Sequence, residues 1–582
     1  MRKLIFLAIK NHKKHMICEC VFFGINGLFL VIETILLQIF FDKATSFSHG
    51  DIGIVIVFFL LFFLLLSKSV GEIFNRAANF ASEKCSSTIN KYFLKIMHSK
   101  IKKISSIKFE DSISLEQMEK ANIGKDASIN LIHIAVILLI CIIPYYVYMG
   151  VYLFFIEPLL AISIMIIFIP TLLTQFFRAK VLSNLEDLSS PYRRKKDYFV
   201  SCLCSTSTFK ENRNLGNLEF LFDKYYDFLK KTQKLSLKRN MRVNSIELVM
   251  RIFSAVGYCA ILFILFNAVM SNRITLGHFS AVAISLDSMY KLTEELICTH
   301  IGNVTSSAGM ASHFLRFLNM EEREGNIFEI SEAPNIELRN VSFKYPNSEN
   351  YAVKGINLKL KYGQIVAVVG ENGSGKSTLS KLISGLFIPT KGEVLIDGQT
   401  TETISEEVLF DKYTGVFQDY QRYELSLKDN VAISNANLPI DNNMVKECCS
   451  ATGIAVERTF FPELEDTILS RSFGNTDLSG GQWQRVAIAR CLYRNKNIVL
   501  LDEPTAAIDP LEENEILHKF LEISKNKTSI IITHRMGPAR FADIILVMSE
   551  GKLVQMGSHS QLINDEDGEY SRLFRSQSDL MS

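Results

Sequence analysis

The sequence has 582 residues and a formal net charge of +2, so it is long enough for more than one domain and has no global excess of charge. This balance gives no reason to expect nucleic acid as a partner. Hydrophobic residues make up 48% of the chain and are concentrated in long uncharged runs in its first half. The pattern predicts a membrane domain over residues 1–319, a linker over 320–334 and a soluble domain over 335–582.

Six apolar segments, each approaching the roughly 20 residues that a membrane-spanning helix needs, alternate with connections of unequal length. They cover residues 17–41, 52–71, 131–150, 158–177, 253–270 and 278–301. The two long connections are rich in Lys and Arg, whereas the three short ones carry only Lys43 and Arg273. By the positive-inside rule, the long connections, both termini and the soluble domain are predicted to lie on the cytosolic side of a plasma membrane.

The two long connections have the composition of helices and are predicted to extend the membrane helices into the cytosol as two hairpins. Their tips are predicted near residues 109–111 and 210–213. Ionisable side chains also fall inside the predicted spans, where a charge costs at least about 2.5–3.5 kcal/mol. They line a polar substrate path, or they pair structurally between helices, or those of the sixth span lie near the membrane edge. These residues are Glu33, Asp287, Lys291, Glu294 and Glu295.

A glycine-rich loop in the second half follows an apolar run and precedes a helix-forming segment. Its pattern, G-x-x-x-x-G-K-[ST], is that of a phosphate-binding loop. The glycines let backbone amides close around phosphate oxygens, and the helix directs its positive end at the same place. Lys376 is predicted to reach the terminal phosphates and Ser377 to bind Mg²⁺. The nine residues of the loop are Gly370, Glu371, Asn372, Gly373, Ser374, Gly375, Lys376, Ser377 and Thr378.

Other polar side chains stand at the ends of apolar runs around this loop. Tyr345 precedes the loop and either stacks on a purine base or packs in the core. Gln418 follows a short apolar strand and can reach Mg²⁺ or an attacking water. A longer apolar run ends in Asp502, which can hold the Mg²⁺ shell, and Glu503, which can polarise water for in-line attack. A further strand ends in His534, which suits contact with the γ-phosphate or the attacking water.

A second candidate anion site opens another helix further along the chain. A serine and two glycines at a helix N-terminus can bind an anion through backbone amides. One ATP rarely needs two such sites from one chain, so the pattern indicates a site shared between two chains. The residues of this segment are Ser479, Gly480, Gly481 and Gln482.

In this order, the motifs resemble the ATP-binding cassette (ABC) superfamily, and the six spans before them resemble its half-size exporters. The resemblance covers nearly the whole chain. It implies an all-α six-helix membrane domain with long cytosolic helical extensions, followed by an α/β P-loop ATPase domain with a helical subdomain. It also implies a dimer, of two copies or with a related half-transporter, in which the loop of one chain faces Ser479 and Gly481 of the other.

The resemblance further implies a role for each site residue. Tyr345 stacks on adenine, and Lys376 binds the β and γ phosphates of ATP. Glu503 is the general base, His534 senses the γ-phosphate, and Asp509 lies in the dimer-contact loop. The Mg²⁺ ligands are Ser377, Gln418 and, through water, Asp502.

A shorter stretch around Trp483 resembles bacterial exporters of lanthipeptides and similar peptides. One departure from the exporter pattern precedes it, because residues 472–477 lack the glutamate of the usual G-E-x-G-like segment that touches the coupling helices. The sequence therefore predicts ATP-driven export of a substrate, first of all a peptide, by a dimer embedded in membrane lipids. The alternatives are a lipid or multidrug exporter and, from another class, an ATP-gated sensor or channel.

Overall fold

The computed structural model describes two compact units, and each is built differently. One comprises Met1–Ser99 and Glu116–Met320, and the other comprises Lys100–Leu115 and Glu321–Ser582. The described residues are 2–160, 162, 191–205, 208–295, 302–323, 325–327, 329–457, 460–471, 473, 476–504, 520, 522 and 524–578.

The first unit consists of long helices. In chain order they are α1 Arg2–Ser48, α2 Ile54–Lys103, α3 Ser112–Ile137, a π-helical turn Leu138–Ile142, α4 Ile143–Ile156, and then helices Phe209–Leu215, Leu218–Met270, Leu276–Glu295 and Gly302–Leu318. Residues 191–204 are also helical. The longest helix has 53 residues, which corresponds to about 80 Å and exceeds the hydrocarbon thickness of a bilayer more than twofold. The predicted extension of the membrane helices beyond the bilayer is confirmed.

Four described helices are long and apolar enough to cross a membrane: Lys10–Ser48, Ile54–Lys103, Ser112–Ile156 and Leu218–Met270. They contain the first, third and fifth predicted spans and all but the first two residues of the second. The fourth predicted span lies almost wholly outside the described residues, and the sixth is described as helix only as far as Glu295. The total of six therefore stays a prediction.

The second unit is built on two sheets. Its strands are β1 Ile336–Phe343, β2 Val353–Leu360, β3 Ile365–Gly370, β4 Lys391–Ile396, β5 Gln399–Thr400, β6 Tyr413–Val416, β7 Ile498–Asp502, β8 Thr528–Ile532, β9 Ile544–Ser549 and β10 Lys552–Gly557. The smaller sheet has the order β2-β1-β4-β5 and the larger one β10-β9-β3-β8-β7-β6. β3, β8, β7 and β6 run parallel, so the residues after their carboxyl ends meet at one edge of the sheet.

Helices surround the sheets and form a separate subdomain. The described helices are Lys376–Ile383, Glu406–Asp411, Leu427–Ala432, Asn442–Ala451, Gly480–Arg494, Met536–Ala539, His559–Ile563 and Glu569–Ser578. Three of them share a core in which Leu427, Val445 and Trp483 are buried. Trp483 is only 2% exposed and anchors this core, which gives the single tryptophan a structural role. The predicted α/β domain with a helical subdomain is confirmed.

Candidate nucleotide site

The phosphate-binding loop connects the end of β3 to the helix that begins at Lys376. Gly375 has a φ of +100°, and a Cβ atom there would lie 2.4 Å from the carbonyl oxygen of Ala352. Gly373 also has a positive φ, of +80°. Only glycine adopts both conformations without strain, so the sequence of the loop dictates its tight turn into the helix.

Lys376 lies folded across this loop. Its ammonium group donates hydrogen bonds to the carbonyl oxygens of Gly370 at 2.9 Å and of Glu371 at 2.8 Å, and the side chain is 6% exposed. Burial lowers the pKa of Lys376, and the nearby carboxylates of Glu503 and Asp502 oppose that shift. A phosphate group would replace the two carbonyl contacts and remove the cost of burial.

Ser374 supplies a second sign of an anion site in the loop. Its hydroxyl oxygen is buried and has no hydrogen-bond partner among the described residues. A buried hydroxyl without a partner costs free energy, and a phosphate oxygen in the loop would satisfy it. The donor set of the loop therefore fits a phosphate ligand.

Asp502 ends β7 next to the start of the loop helix. The Ser377 hydroxyl donates to its Oδ1 atom at 3.4 Å, and Asp502 is only 7% exposed. Burial raises the pKa of Asp502, and the hydrogen bond from Ser377 opposes that shift. A hydroxyl and a carboxylate are hard oxygen ligands that suit Mg²⁺. Within the described part of the chain no group of three His, Cys, Asp or Glu residues forms a metal site, so phosphate oxygens and water would have to complete the shell.

The three predicted catalytic side chains lie together at this edge of the sheet. The Glu503 carboxylate accepts a hydrogen bond from Gln418 Nε2 at 3.2 Å and lies 3.0 Å from His534 Nδ1. Its amide donates to the carbonyl oxygen of Ile532, which ties β7 to β8. The parallel strands thus deliver a carboxylate, an amide and an imidazole to one place beside the phosphate loop.

The C-terminal helix supports this arrangement in a way that the sequence did not predict. The Gln577 side-chain amide donates to the carbonyl oxygen of His534, and its Oε1 accepts from the amide of Met536. Arg572 from the same helix forms an ion pair with Glu371 of the loop at 3.2 Å. These partners are far apart in sequence and share no motif, so no sequence signal could have identified them.

Tyr345 packs within the domain. Its ring meets Phe343 and Phe387 edge to face, with centroids 5.1 and 5.8 Å apart, and its hydroxyl lies 3.1 Å from Thr378 Oγ1. Packing, one of the two roles predicted for Tyr345, is therefore observed on one side of its ring. The side chain is only half-buried, and stacking on a base remains a prediction.

The second predicted anion site starts the helix Gly480–Arg494. Ser479 caps it: its Oγ accepts from the Gln482 amide at 3.3 Å, while the Gln482 side chain accepts from the Ser479 amide at 2.8 Å. In the described part of the chain neither side chain hydrogen-bonds to residues 370–378, and Ser479 is exposed. One chain thus leaves this helix start accessible. Asp509 and residues 472, 474 and 475 lie outside the described residues.

The tip of the first predicted hairpin contacts the cassette next to the phosphate loop. The tip is the 3₁₀ helix Ser106–Glu110, and Ile107 packs against the core of the second unit. Glu110 forms a 3.0 Å ion pair with Lys381 of the loop helix, and Asn347 donates to Asp111 at 3.2 Å. The position of this tip is as predicted, and it touches the helix that carries Lys376.

Known proteins resemble this chain in sequence and in fold. A family model described as ABC transporter matches residues 353–506. The subtilin transport ATP-binding protein SpaT of Bacillus subtilis is 30% identical over 64% of this chain and 61% of its own length. The nisin transport ATP-binding protein NisT of Lactococcus lactis subsp. lactis is 31% identical over 69% of this chain and 68% of its own. The structure of a bacterial Atm1-family ABC exporter with ATP bound matches with a TM-score of 0.79 at 19% identity, over 96% of this chain and 98% of that one.

The fold and the nucleotide site define an ATPase of the transport type, and the chain belongs to the ABC transporter family. It is a half-exporter, with one helical membrane unit followed by one cassette, and it is related to SpaT and NisT. The predicted family and fold class are confirmed. The chain spans 61% of SpaT and 68% of NisT, so a shared cargo is a matter of proposal.

Proposed function

We propose that this chain exports a peptide across the cytoplasmic membrane, driven by ATP, through alternating access of a dimer. One observation carries the proposal: the predicted phosphate ligand and the predicted catalytic side chains meet at one edge of the sheet in a chain whose other half is long apolar helices. The cargo of the two related transporters, subtilin and nisin, supports a peptide as the substrate.

ATP binding uses groups that the loop already holds in place. The loop amides and the Lys376 ammonium bind the phosphates, and Lys376 exchanges its contacts with Gly370 and Glu371 for phosphate oxygens. The Ser374 hydroxyl gains the partner that it lacks among the described residues. Tyr345 stacks on the adenine. Ser377, Gln418 and, through water, Asp502 would hold Mg²⁺, which when bound supplies positive charge to the β and γ phosphates.

Hydrolysis depends on the cluster around Glu503. Its carboxylate accepts a proton from the water that attacks the γ-phosphate. His534, 3.0 Å from that carboxylate, holds it in place and contacts the γ-phosphate. Gln418 donates a hydrogen bond to the other oxygen of the Glu503 carboxylate. A γ-phosphate that moves this carboxylate therefore also affects Gln418.

A second copy of the chain completes each ATP site. Ser479 is exposed at a capped helix start, and Ser479 and Gly481 of the second copy bind the γ-phosphate side of the ATP. Asp509 lies at the contact between the two cassettes. Closure of two cassettes on ATP favours the outward-facing arrangement, and hydrolysis resets it.

The cassettes and both termini face the cytosol in this proposal. The basic residues of the long helical connections support this orientation, because Lys and Arg are retained on the cytosolic side. The Ser106–Glu110 tip, which contacts the cassette, then lies at the cytosolic end of α2.

Inside-out membrane vesicles test the proposal. They should accumulate a nisin-like peptide when ATP is added, and vesicles with Glu503→Gln should accumulate none above background. An ion current that opens with ATP, without any accumulation of peptide, would contradict export and support a channel.

A further inference from the structure

A cavity of about 290 Å³ lies inside the first unit, between α1, α2 and the π-helical turn after α3. Part of its wall is apolar, from side chains such as Phe29 and Ile142. The rest is polar: Glu33 and Asn75 are half-buried, and Lys68 and Asn79 are exposed in the single chain. Its polar side chains are Asn26, Glu33, Ser67, Lys68, Glu72, Asn75 and Asn79.

Glu33 and Lys68 both fall within predicted membrane spans, residues 17–41 and 52–71. Glu33 is eight residues, about 12 Å, from the end of its span at residue 41, and Lys68 is three residues, about 5 Å, from the end of its span at residue 71. Lys68 therefore lies near the end of its span, whereas Glu33 lies well inside a hydrocarbon layer of about 30 Å. Charges at this depth are costly and usually have a partner or a function.

Neither of these two charges has a protein partner in the described part of the chain. Glu33 and Lys68 form no ion pair with each other, although they line one cavity. Asp287 of the same unit, by contrast, is paired with Lys291 at 2.7 Å. The Ser67 hydroxyl, 7% exposed, likewise has no hydrogen-bond partner among the described residues. The cavity therefore presents Glu33, Lys68 and the Ser67 hydroxyl without described partners, beside Glu72, which is paired with Arg76 at 3.5 Å.

The backbone around the cavity is closely packed. A Cβ atom on Gly27 of α1 would lie 3.4 Å from the carbonyl oxygen of Cys141 in the π-helical turn. On the other side, Phe29 of α1 stacks on Phe74 of α2 with ring centroids 5.7 Å apart. π-Helical turns occur frequently at functional sites. The cavity is therefore formed by tight helix contacts on both sides and is a built feature of the bundle.

We propose that this cavity binds a segment of the exported peptide that carries both an ammonium and a carboxylate group. Glu33 pairs with the ammonium and Lys68 with the carboxylate. The Asn79 amide and the Ser67 hydroxyl bond to peptide groups of the same segment, beside Asn26, which donates to Asn75 at 3.5 Å. The inference rests on the proposed peptide export and adds a charge pattern that the cargo must have.

Binding of labelled peptides to the purified dimer tests this site directly. Four fluorescent peptides of equal length differ only at two positions, which hold Lys and Glu, Lys and Gln, Gln and Glu, or Gln and Gln. Their affinities are measured by fluorescence anisotropy without nucleotide. The Lys-with-Glu peptide should bind best. Glu33→Gln should weaken it about tenfold or more and remove the advantage of Lys, and Lys68→Gln should remove the advantage of Glu.

Two further variants control this measurement. Glu83→Gln removes an exposed acidic group of α2 that does not line the cavity, so it should leave all four affinities unchanged. The double variant Glu33→Lys with Lys68→Glu retains both charges in the cavity. It should bind the Lys-with-Glu peptide again, which excludes a folding defect as the cause of the single-variant losses.

Equal affinities of the four peptides, or affinities that do not change in Glu33→Gln, would overturn the inference. Competition by phosphatidylethanolamine but not by the peptides would also overturn it, in favour of a lipid headgroup with the same ammonium. Charge-dependent binding without ATP-driven uptake would uphold this site and contradict export. ATP-driven uptake without charge-dependent binding would uphold export and contradict this site.

Discussion

Glu503 illustrates what single residues contribute to this site. The sequence placed it at the end of an apolar run beside a phosphate loop, and that position alone indicated a base. The structure adds the two partners of its carboxylate, Gln418 and His534. Each partner follows a different parallel strand, so their meeting depends on strand order, which local sequence does not encode.

Replacement of Glu503 by Gln should separate ATP binding from hydrolysis. The amide has the shape of the carboxylate and can still bond to neighbouring groups, but it cannot accept the proton of water. We expect ATP to bind with little change and hydrolysis to fall by about 100-fold or more. Phosphate release and equilibrium binding of labelled ATP measure the two effects. Glu393→Gln, an exposed glutamate on β4, is the matched control, and a parent-like rate in Glu503→Gln would show that another group is the base.

Asp502 should be needed for ATP hydrolysis while it lowers the free energy of unfolding of the nucleotide-free protein. Burial raises the pKa of Asp502 in the folded protein, so folding favours its protonated form. The free energy of unfolding therefore falls as the pH rises from the ordinary Asp pKa through that raised value. Asp502→Asn removes the buried charge and should raise the unfolding temperature of the nucleotide-free protein at neutral pH. The gain should vanish at pH below the ordinary Asp pKa, where the carboxyl is protonated in both states.

Thermal unfolding of parent and Asp502→Asn at several pH values tests this prediction, and ATP hydrolysis by the variant should be lost in parallel. An unfolding temperature that falls at neutral pH would show that the carboxylate stabilises the fold. A rise in the unfolding temperature of Asp502→Asn would identify a metal ligand that destabilises the nucleotide-free protein. A fall would identify an acid that stabilises the fold.

At the level of elements, the end of α2 is tied to the cassette at several points. Lys100 forms a 2.7 Å ion pair with Glu322, and the amide of Arg323 donates to the carbonyl oxygen of Lys103 at 2.8 Å. Arg323 is itself buried and paired with Glu406. Together with the contact between Glu110 and Lys381, these links connect the last residues of α2 and the tip after it to the loop helix and its surroundings.

Charge reversal at Glu110 should weaken coupling more than stability. The ion pair with Lys381 is partly exposed, so its loss should cost less than about 1 kcal/mol of folding free energy. Glu110→Lys should keep basal ATP hydrolysis but reduce its stimulation by peptide, because two like charges then face each other at the tip. Adding Lys381→Glu restores opposite charges and should restore stimulation.

Measurement of ATP hydrolysis with and without peptide distinguishes the outcomes. Lys102→Glu, a charge reversal on α2 close to the tip, serves as a control for the change of charge alone. If the double variant stays as defective as Glu110→Lys, the pair does not transmit the signal.

Much of the architecture could be predicted because it depends on local patterns. Apolar runs of membrane length, the loop between β3 and its helix, and the capped start at Ser479 each lie within a short stretch of sequence. The support of His534 by Gln577, the anchoring of Arg323 and the π-helical turn that shapes the cavity could not be predicted. Their partners are distant in sequence or depend on backbone geometry, and neither leaves a periodic signal.

At the scale of the whole molecule, one chain holds the parts of an ATP site without joining them. Among the described residues, the phosphate loop and Ser479 share no hydrogen bond, and Ser479 is exposed. Two copies that exchange these parts would form two complete sites, as expected for a symmetric dimer. ATP would then act as the link that closes the two cassettes.

Cross-complementation of inactive chains measures this sharing most directly. In one mixed dimer, Lys376→Ala is on the first chain and Ser479→Arg on the second, and in the other both changes are on one chain beside an unmodified partner. Sharing predicts that the first dimer keeps one intact site and hydrolyses ATP at up to about half the parent rate, while the second is inactive. Hydrolysis by the second dimer and not by the first would contradict it, because each chain would then use its own loop and its own serine.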